Sequence, residues 1–475
     1  MKTLGLILLI ALSGNLFAQT AKSRRIDSLM TAVYNRGQFT GSIIVADHDK
    51  VIYENAFGLA DRAKNTPFTL NTKEYIGSIS KQFTAMGIMI LHDRQKLSYD
   101  QSIRDFFPEL PVFMQPVRIR HLLYHTSGLA IFDDYSDMTE KDVFNILLKQ
   151  DKLHFTPGEK FEYCNAGYSL LGMIIEKVSG QSLNDFMMQS IFKPLGMRHT
   201  EVSEGSHRNT VRAIGYDLYG AVNSYDTFMG GNASIISTAE DMYKWDQAMY
   251  DCKLVKPQTL AEAFTPSDKV MNNPSLLLKD DMFGDKSYGF GIWIAMRNSA
   301  KDFFHDGAFS GYATYNERVT DSHTAIVEVT NLRHAPVYEI RQAILNILDD
   351  KPYRLPKIDG SVWLNNKIVT AGIDSAISRY RILQKTDTAD YEFSENTLNS
   401  YAYILLRANL VAEAIKVFKL NTELYPNSAN VYDSLADGYE KAGDKTKALE
   451  SCMQALKLDP NSEYEKNRVK GLQGK

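Results

Sequence analysis

The chain reads as an α+β protein, and three observations carry that reading. Strand-like segments lie near the start and again late in the chain, the long middle is helical, and the tail repeats every 34 residues. TGSIIVADHDKVIYENAFG, rich in Val and Ile and broken by polar residues at Asp47 to Lys50, reads as two strands around a turn. YGFGIWIAM (288–296), GYATYNERV (311–319) and TAIVEVTNL (324–332) read as a later meander. The economical arrangement is one antiparallel sheet built from both ends, flanked by helices inserted between them.

The helices follow from spacing. Residues 22–34 read as a helix before the first strand. After Ser78, apolar Phe83, Met86 and Ile90 recur at helical intervals. TPGEK (156–160) is a turn, and NAGYSLLGMIIEKVSG is a helix closed by Gly180. A helix over 337–348 ends the region, and DDKPYRLPKIDG reads as a linker. In the tail, Leu398, Tyr401, Ala402, Leu405, Ala414, Asn421 and Pro426 recur 34 positions on as Tyr432, Leu435, Ala436, Tyr439, Ala448, Ala455 and Pro460. That is the tetratricopeptide period, with Phe418 replaced by Cys452 in the second copy.

Composition narrows the function classes. A chain of 475 residues that is 44% hydrophobic has ample material for a core. A net charge of −4 without a long basic run argues against a nucleic-acid partner. MKTLGLILLIALSGNLFAQT has an early Lys2, a short apolar run and Ala18 where cleavage would follow, so residues 1–18 read as a signal peptide and the mature chain as secreted or periplasmic. No later run is long enough to span a membrane. The three Cys form no disulfide framework, and no Cys or His cluster has metal-ligand spacing, so neither a metal nor a cofactor is expected. The expected layout is a catalytic domain over 23–350, a linker over 351–365 and repeats over 366–475.

Three short elements carry the chemistry. Ser78 and Lys81 stand at the start of a helix, three positions apart and on one face, so a shielded lysine there could take the serine proton. Alone, this pair is equally an ordinary helix start, and Ser190 with Lys193 repeats the spacing. Tyr163-Cys164-Asn165 lies between a turn and a helix. Its phenol could join Lys81 in proton transfer and its amide orient a substrate carbonyl, or Asn165 could simply cap the helix. His305-Asp306-Gly307 precedes the strand at 311–319 and alone reads as a polar turn. A glycine there lets backbones approach closely, which would make the Ala308 amide an oxyanion donor beside that of Ser78.

In this order the three elements resemble the serine β-lactamase and penicillin-binding-protein superfamily. The resemblance is closest to its branch of class C β-lactamases, esterases and D-aminopeptidases, and LLYHTSGL (122–129) and GGNASIISTAEDMYKW (230–245) agree with that branch. It implies an antiparallel sheet covered by helices plus an all-helical subdomain. It implies Ser78 as nucleophile, Lys81 and Tyr163 as the base pair, and Asn165, His305, Gly307 and Ala308 around the substrate. His125 reads as structural, and Ser127 and Gly128 as turn-forming.

One departure matters: the family's third motif usually begins with lysine, and here it begins with His305. An unperturbed histidine is mostly neutral at pH 7, so a substrate carboxylate is held less well. The expectation is an exported serine hydrolase acting on an ester or amide of a small molecule or peptide. The rivals are a penicillin-recognising protein and a binding protein whose repeats take a protein partner.

Overall fold

The computed structural model describes residues 21–131, 138–203, 212–224, 230–267, 278–280, 284–297 and 300–474. The expected signal segment and much of the loop over 265–287 lie outside the described residues. The chain divides into two compact units, Met1–Arg354 and Leu355–Lys475.

The first unit is organised by an eight-stranded antiparallel sheet. Its strands are β1 (Gly41–Asp47), β2 (Lys50–Phe57), β3 (Leu278–Asp280), β4 (Gly284–Tyr288), β5 (Trp293–Arg297), β6 (Ala300–Phe309), β7 (Tyr312–Val319) and β8 (Thr324–Thr330). Their spatial order is β2-β1-β8-β7-β6-β5-β4-β3. N- and C-terminal segments meet where β1 pairs β8, with Gly41 opposite Thr330 and Val45 opposite Ile326. Gly41 is needed there, because a Cβ would fall 2.1 Å from the Val329 carbonyl oxygen. The β1–β2 turn uses His48 and Asp49 at φ 52° and 62°, the left-handed pair that a tight hairpin demands.

Two sequence expectations are corrected. The run 288–296 is not one strand: it breaks at Gly289–Gly291, where Gly291 has φ +74° and packs against the Lys81 carbonyl. His305-Asp306-Gly307, which alone reads as a polar turn before a strand, lies inside a ten-residue interior strand, residues 300–309. Pairing on both sides, with β5 and β7, satisfies a backbone that the polar residues made look like a loop.

The helices that position the site are α1 (Ala21–Asn35), α2 (Ser80–Asp93), α3 (Glu140–Lys149), α4 (Asn165–Ser179), α5 (Ala239–Ala248) and α6 (Val337–Leu348). Residues 80–91 of α2 are all buried, so this helix is the axis of the main core rather than a surface element. It packs with α4 residues such as Leu171 and Ile175 and, through Phe83, stacks on Trp245 of α5 at 4.0 Å. Helix α4 ends as expected, with Gly180 at φ 71°.

The second unit is helical: α7 (Gly360–Ala371), α8 (Ile373–Thr386), α9 (Glu395–Arg407), α10 (Val411–Leu424), α11 (Ala429–Lys441), α12 (Lys445–Leu458) and α13 (Glu463–Leu472). The first of these begins inside the expected linker, because Asp359 caps it by accepting from the Ser361 amide. Ala402, Ala414 and Phe418, and their counterparts Ala436, Ala448 and Cys452, are buried, as is Leu398. Among the described residues, no helix is long and apolar enough to cross a membrane.

Candidate active site

Ser78 sits in a short 3₁₀ turn, Gly77–Ile79, that runs directly into α2. Lys81, in the first turn of α2, is 0% exposed. Its Nζ lies 3.0 Å from Ser78 Oγ and 3.0 Å from the Asn232 carbonyl oxygen. Among the described residues it forms no ion pair. Burial is the main influence on Lys81 and, opposed by the charges of Asp306 and Cys164, leaves its pKa lowered to about 7. A lysine in that state exchanges roles easily: as an amine it accepts the Ser78 proton while an N–H still points at Asn232.

Asn232 belongs to GGNASIIS, whose role the sequence did not disclose. The segment is fastened from several sides. Thr84 Oγ1 donates to the Gly231 carbonyl at 2.6 Å, Asn232 Nδ2 donates to Ser169 Oγ at 2.7 Å, and the Ile235 amide donates to Ser80 Oγ at 3.1 Å. The Lys81 acceptor is therefore a fixed backbone carbonyl rather than a mobile side chain.

The Ser78 turn is pressed against β6. Gly77 has φ +52°, and a Cβ there would fall 2.6 Å from the Ala308 nitrogen. A Cβ on Gly307 would fall 2.0 Å from the Ile76 carbonyl oxygen and 2.2 Å from Thr314 Oγ1. Thr314 Oγ1 donates to that same Ile76 carbonyl at 2.9 Å. Two glycines, one in each element, thus bring the turn that carries Ser78 against the strand that carries Ala308, the close approach an oxyanion site requires.

Tyr163 approaches from the other side. Lys81 Nζ lies 5.0 Å from its ring centroid. The ring is 4.2 Å from His125 and lies nearly parallel to Trp293, with centroids 6.3 Å apart. Asn165 is the first residue of α4, with Cys164 rather than Asn165 in the capping position. Its Oδ1 is buried without a hydrogen-bond partner among the described residues, which leaves an acceptor for an N–H from substrate.

His305 behaves differently from the pocket-lining group expected. It is 1% exposed, and both ring nitrogens face the protein: Nδ1–H donates to the Asp306 carbonyl at 2.6 Å, and Nε2 accepts from Tyr288 OH at 2.9 Å. Burial pushes its pKa down to about 4, against the pull of Asp306, so the ring carries no charge at neutral pH. It braces the site wall. Tyr288, its partner, and Thr314 were legible only as strand residues, and Gly77 was not singled out.

Ser78, Lys81, Tyr163, Gly307 and Ala308 therefore lie close together at the start of α2, with His305 in the same strand as Gly307 and Asn165 two residues beyond Tyr163. The arrangement suits acyl transfer: a hydroxyl beside a lysine of lowered pKa, a tyrosine ring near that lysine, and backbone amides in the adjoining turn and strand.

The comparisons agree on the class. The Beta-lactamase family model matches residues 23–349, and the chain belongs to that family, a family of serine hydrolases. The chain is 29% identical over 368 residues to penicillin-binding protein 4* of Bacillus subtilis (strain 168), covering 71% of this chain and 78% of that one. A penicillin-binding protein from Bacillus halodurans superposes with a TM-score of 0.59 at 25% identity, covering 67% of this chain and 99% of its own. D-amino acid amidase from Ochrobactrum anthropi SV3 shares the fold, with a TM-score of 0.59 at 22% identity and coverage of 70% and 99%.

Proposed function

We propose that the chain is an exported serine hydrolase that cleaves an ester or amide through an acyl-enzyme on Ser78. Lys81, with Tyr163 beside it, takes the Ser78 proton as Oγ attacks the substrate carbonyl. The amides of Ser78 and Ala308 hold the oxyanion of the tetrahedral intermediate. The proton passes through Tyr163 to the leaving group as the carbonyl re-forms. Water then repeats the sequence on the acyl-enzyme, with Lys81 and Tyr163 accepting its proton and returning it to Ser78. Asn165 Oδ1 orients the substrate amide or its acyl chain.

The observation that carries this reading is the buried, ion-pair-free Lys81 within hydrogen-bond distance of Ser78 Oγ. The test is hydrolysis of p-nitrophenyl acetate by the mature chain, residues 19–475, with Ser78→Ala as control. Loss of turnover by about 10³-fold or more supports the reading, and full activity in the variant refutes it.

A second reading, recognition of β-lactams or D-alanyl peptides, is favoured by the penicillin-binding relative. Against it stands an uncharged His305 where the family's lysine would hold a carboxylate. Stable labelling of Ser78 by a fluorescent penicillin would decide for it. The helical tail is proposed as a repeat array that takes a protein partner, tested by deleting 355–475: ester turnover persists and a pull-down partner is lost.

A further inference from the structure

We propose that His125 is the positioning residue of the base loop, fixing Tyr163 and Asn165 by accepting hydrogen bonds from the chain on both sides of Tyr163. The proposal rests on the catalytic reading of those two residues given above.

Two segments lie side by side, LYHTSGLA (123–130) and HFTPGEKFEYCN (154–165), the second carrying Tyr163 and Asn165. They are joined rung by rung. The His154 amide donates to the Gly128 carbonyl at 2.8 Å, and the Gly158 amide donates to the Thr126 carbonyl at 2.7 Å. The Glu162 amide donates to the His125 carbonyl at 2.9 Å. At the next rung the main chain no longer reaches, and the Cys164 amide donates instead to His125 Nδ1 at 3.0 Å. Cys164 Sγ closes the series against the Ala130 carbonyl at 3.5 Å. Residues 162 and 164 are thus held by one residue, and Tyr163 is pinned between them. Because α4 starts at Asn165, the same hold sets where that side chain emerges.

Packing alone does not account for a histidine here. The ring is 0% exposed in a nest of Tyr163, Tyr168 and Tyr288, with centroids 4.2, 5.0 and 4.7 Å away. An apolar side chain would fill such a nest at no polar cost. Instead Nε2 is buried with no hydrogen-bond partner among the described residues, and the backbone holds φ +56°, uncommon for a residue with a Cβ. Both penalties are tolerated where Nδ1 supplies an acceptor that the backbone cannot. That acceptor requires a neutral ring. Burial, reinforced by the nearby Lys81 and His305, holds the His125 pKa well below its usual value, so the ring stays neutral. Its proton then sits on Nε2, leaving Nδ1 free to accept.

The test compares His125→Ala with His125→Asn. Asparagine tolerates the left-handed backbone, and its Oδ1 is bonded to Cγ as Nδ1 is in histidine, so it restores the acceptor. In the full chain, His125→Ala is expected to lower kcat on the p-nitrophenyl ester about 30-fold or more while KM moves less than about threefold. It is also expected to raise amide hydrogen exchange in residues 161–165. His125→Asn is expected to recover kcat to within about fivefold and to restore protection. Unchanged exchange in folded His125→Ala overturns the proposal whatever the activity, and so does equal loss of kcat in both variants. Retained turnover in Ser78→Ala would overturn the catalytic reading instead, while the exchange experiment still decides whether His125 holds the loop.

Discussion

Two buried cations stand on opposite faces of one sheet, and they are treated in opposite ways. On the face toward α2, Thr314 and Asn316 of β7 point at the site, and Lys81 meets a hydroxyl and a carbonyl but no carboxylate. On the other face, Tyr315 and Glu317 of the same strand point under α6. There Arg341 binds Glu317 through two contacts of 2.5 and 2.7 Å and Asp302 through one of 2.7 Å. All three are at most 4% exposed. A cation given carboxylates stays charged and structural; a cation with none in contact is driven toward its neutral form, as the proposed base must be. The period-2 alternation of β7 puts Thr314 and Asn316 on one face and Tyr315 and Glu317 on the other; Arg318, two residues beyond Asn316, is a further buried cation and pairs with Asp246 of α5 at 2.9 Å.

The arginine side tolerates an excess of acid only because part of it is neutral. Burial raises Asp302 well above the carboxylate range, as does the adjacent Glu317 charge, and burial does the same to Glu328, whose two oxygens have no hydrogen-bond partner among the described residues. Arg341→Met strands Glu317 without its counter-ion. The expected cost is about 3–5 kcal/mol in chemical denaturation, with turnover per folded molecule unchanged. A loss of activity without a loss of stability would break the division between the two faces.

Next in size is Lys81→Arg, which keeps the charge and removes the ability to shed it. Ester turnover is expected to fall about 10²- to 10³-fold, read from kcat/KM. Near wild-type turnover would mean that the proton goes elsewhere.

The smallest effect is on stability. Folded Lys81 titrates near 7 and an unfolded lysine near 10.5, so between those values the unfolded chain binds the extra proton. Folding is therefore penalised fully below about 7, and the penalty is relieved as pH rises toward 10.5. Lys81→Met lacks the titration. At pH 7 it should be more stable than wild type, and urea denaturation at pH 10 should show the difference shrinking. A difference that does not vary with pH would place Lys81 in the unfolded-like range.

The same two faces explain what was legible in the sequence. Order and spacing pointed to Ser78, Lys81, Tyr163 and Asn165 as candidates, because short motifs survive in the linear chain. The meeting of β1 with β8 followed from apolar strands at both ends. What failed were features defined by a partner. FFHDGAF looks like a turn until β5 and β7 flank it, and His305 looks like a pocket residue until Tyr288 covers it. The Asn232 carbonyl is a backbone group and leaves no residue-type signal, and the partner that gives His125 Nδ1 its role is the Cys164 backbone amide, which leaves none either. The Arg341 cluster joins residues as far apart as 302 and 341 by strand alternation, visible only once the register is known.

The central claim is that Lys81, left without a counter-ion, is the neutral base of Ser78. The most direct measurement is the rate at which a fluorophosphonate labels Ser78 as a function of pH. The account predicts a rise with a midpoint near 7, abolished in Lys81→Arg. A midpoint near the ordinary lysine value of 10.5, or a profile unchanged in Lys81→Arg, would contradict it.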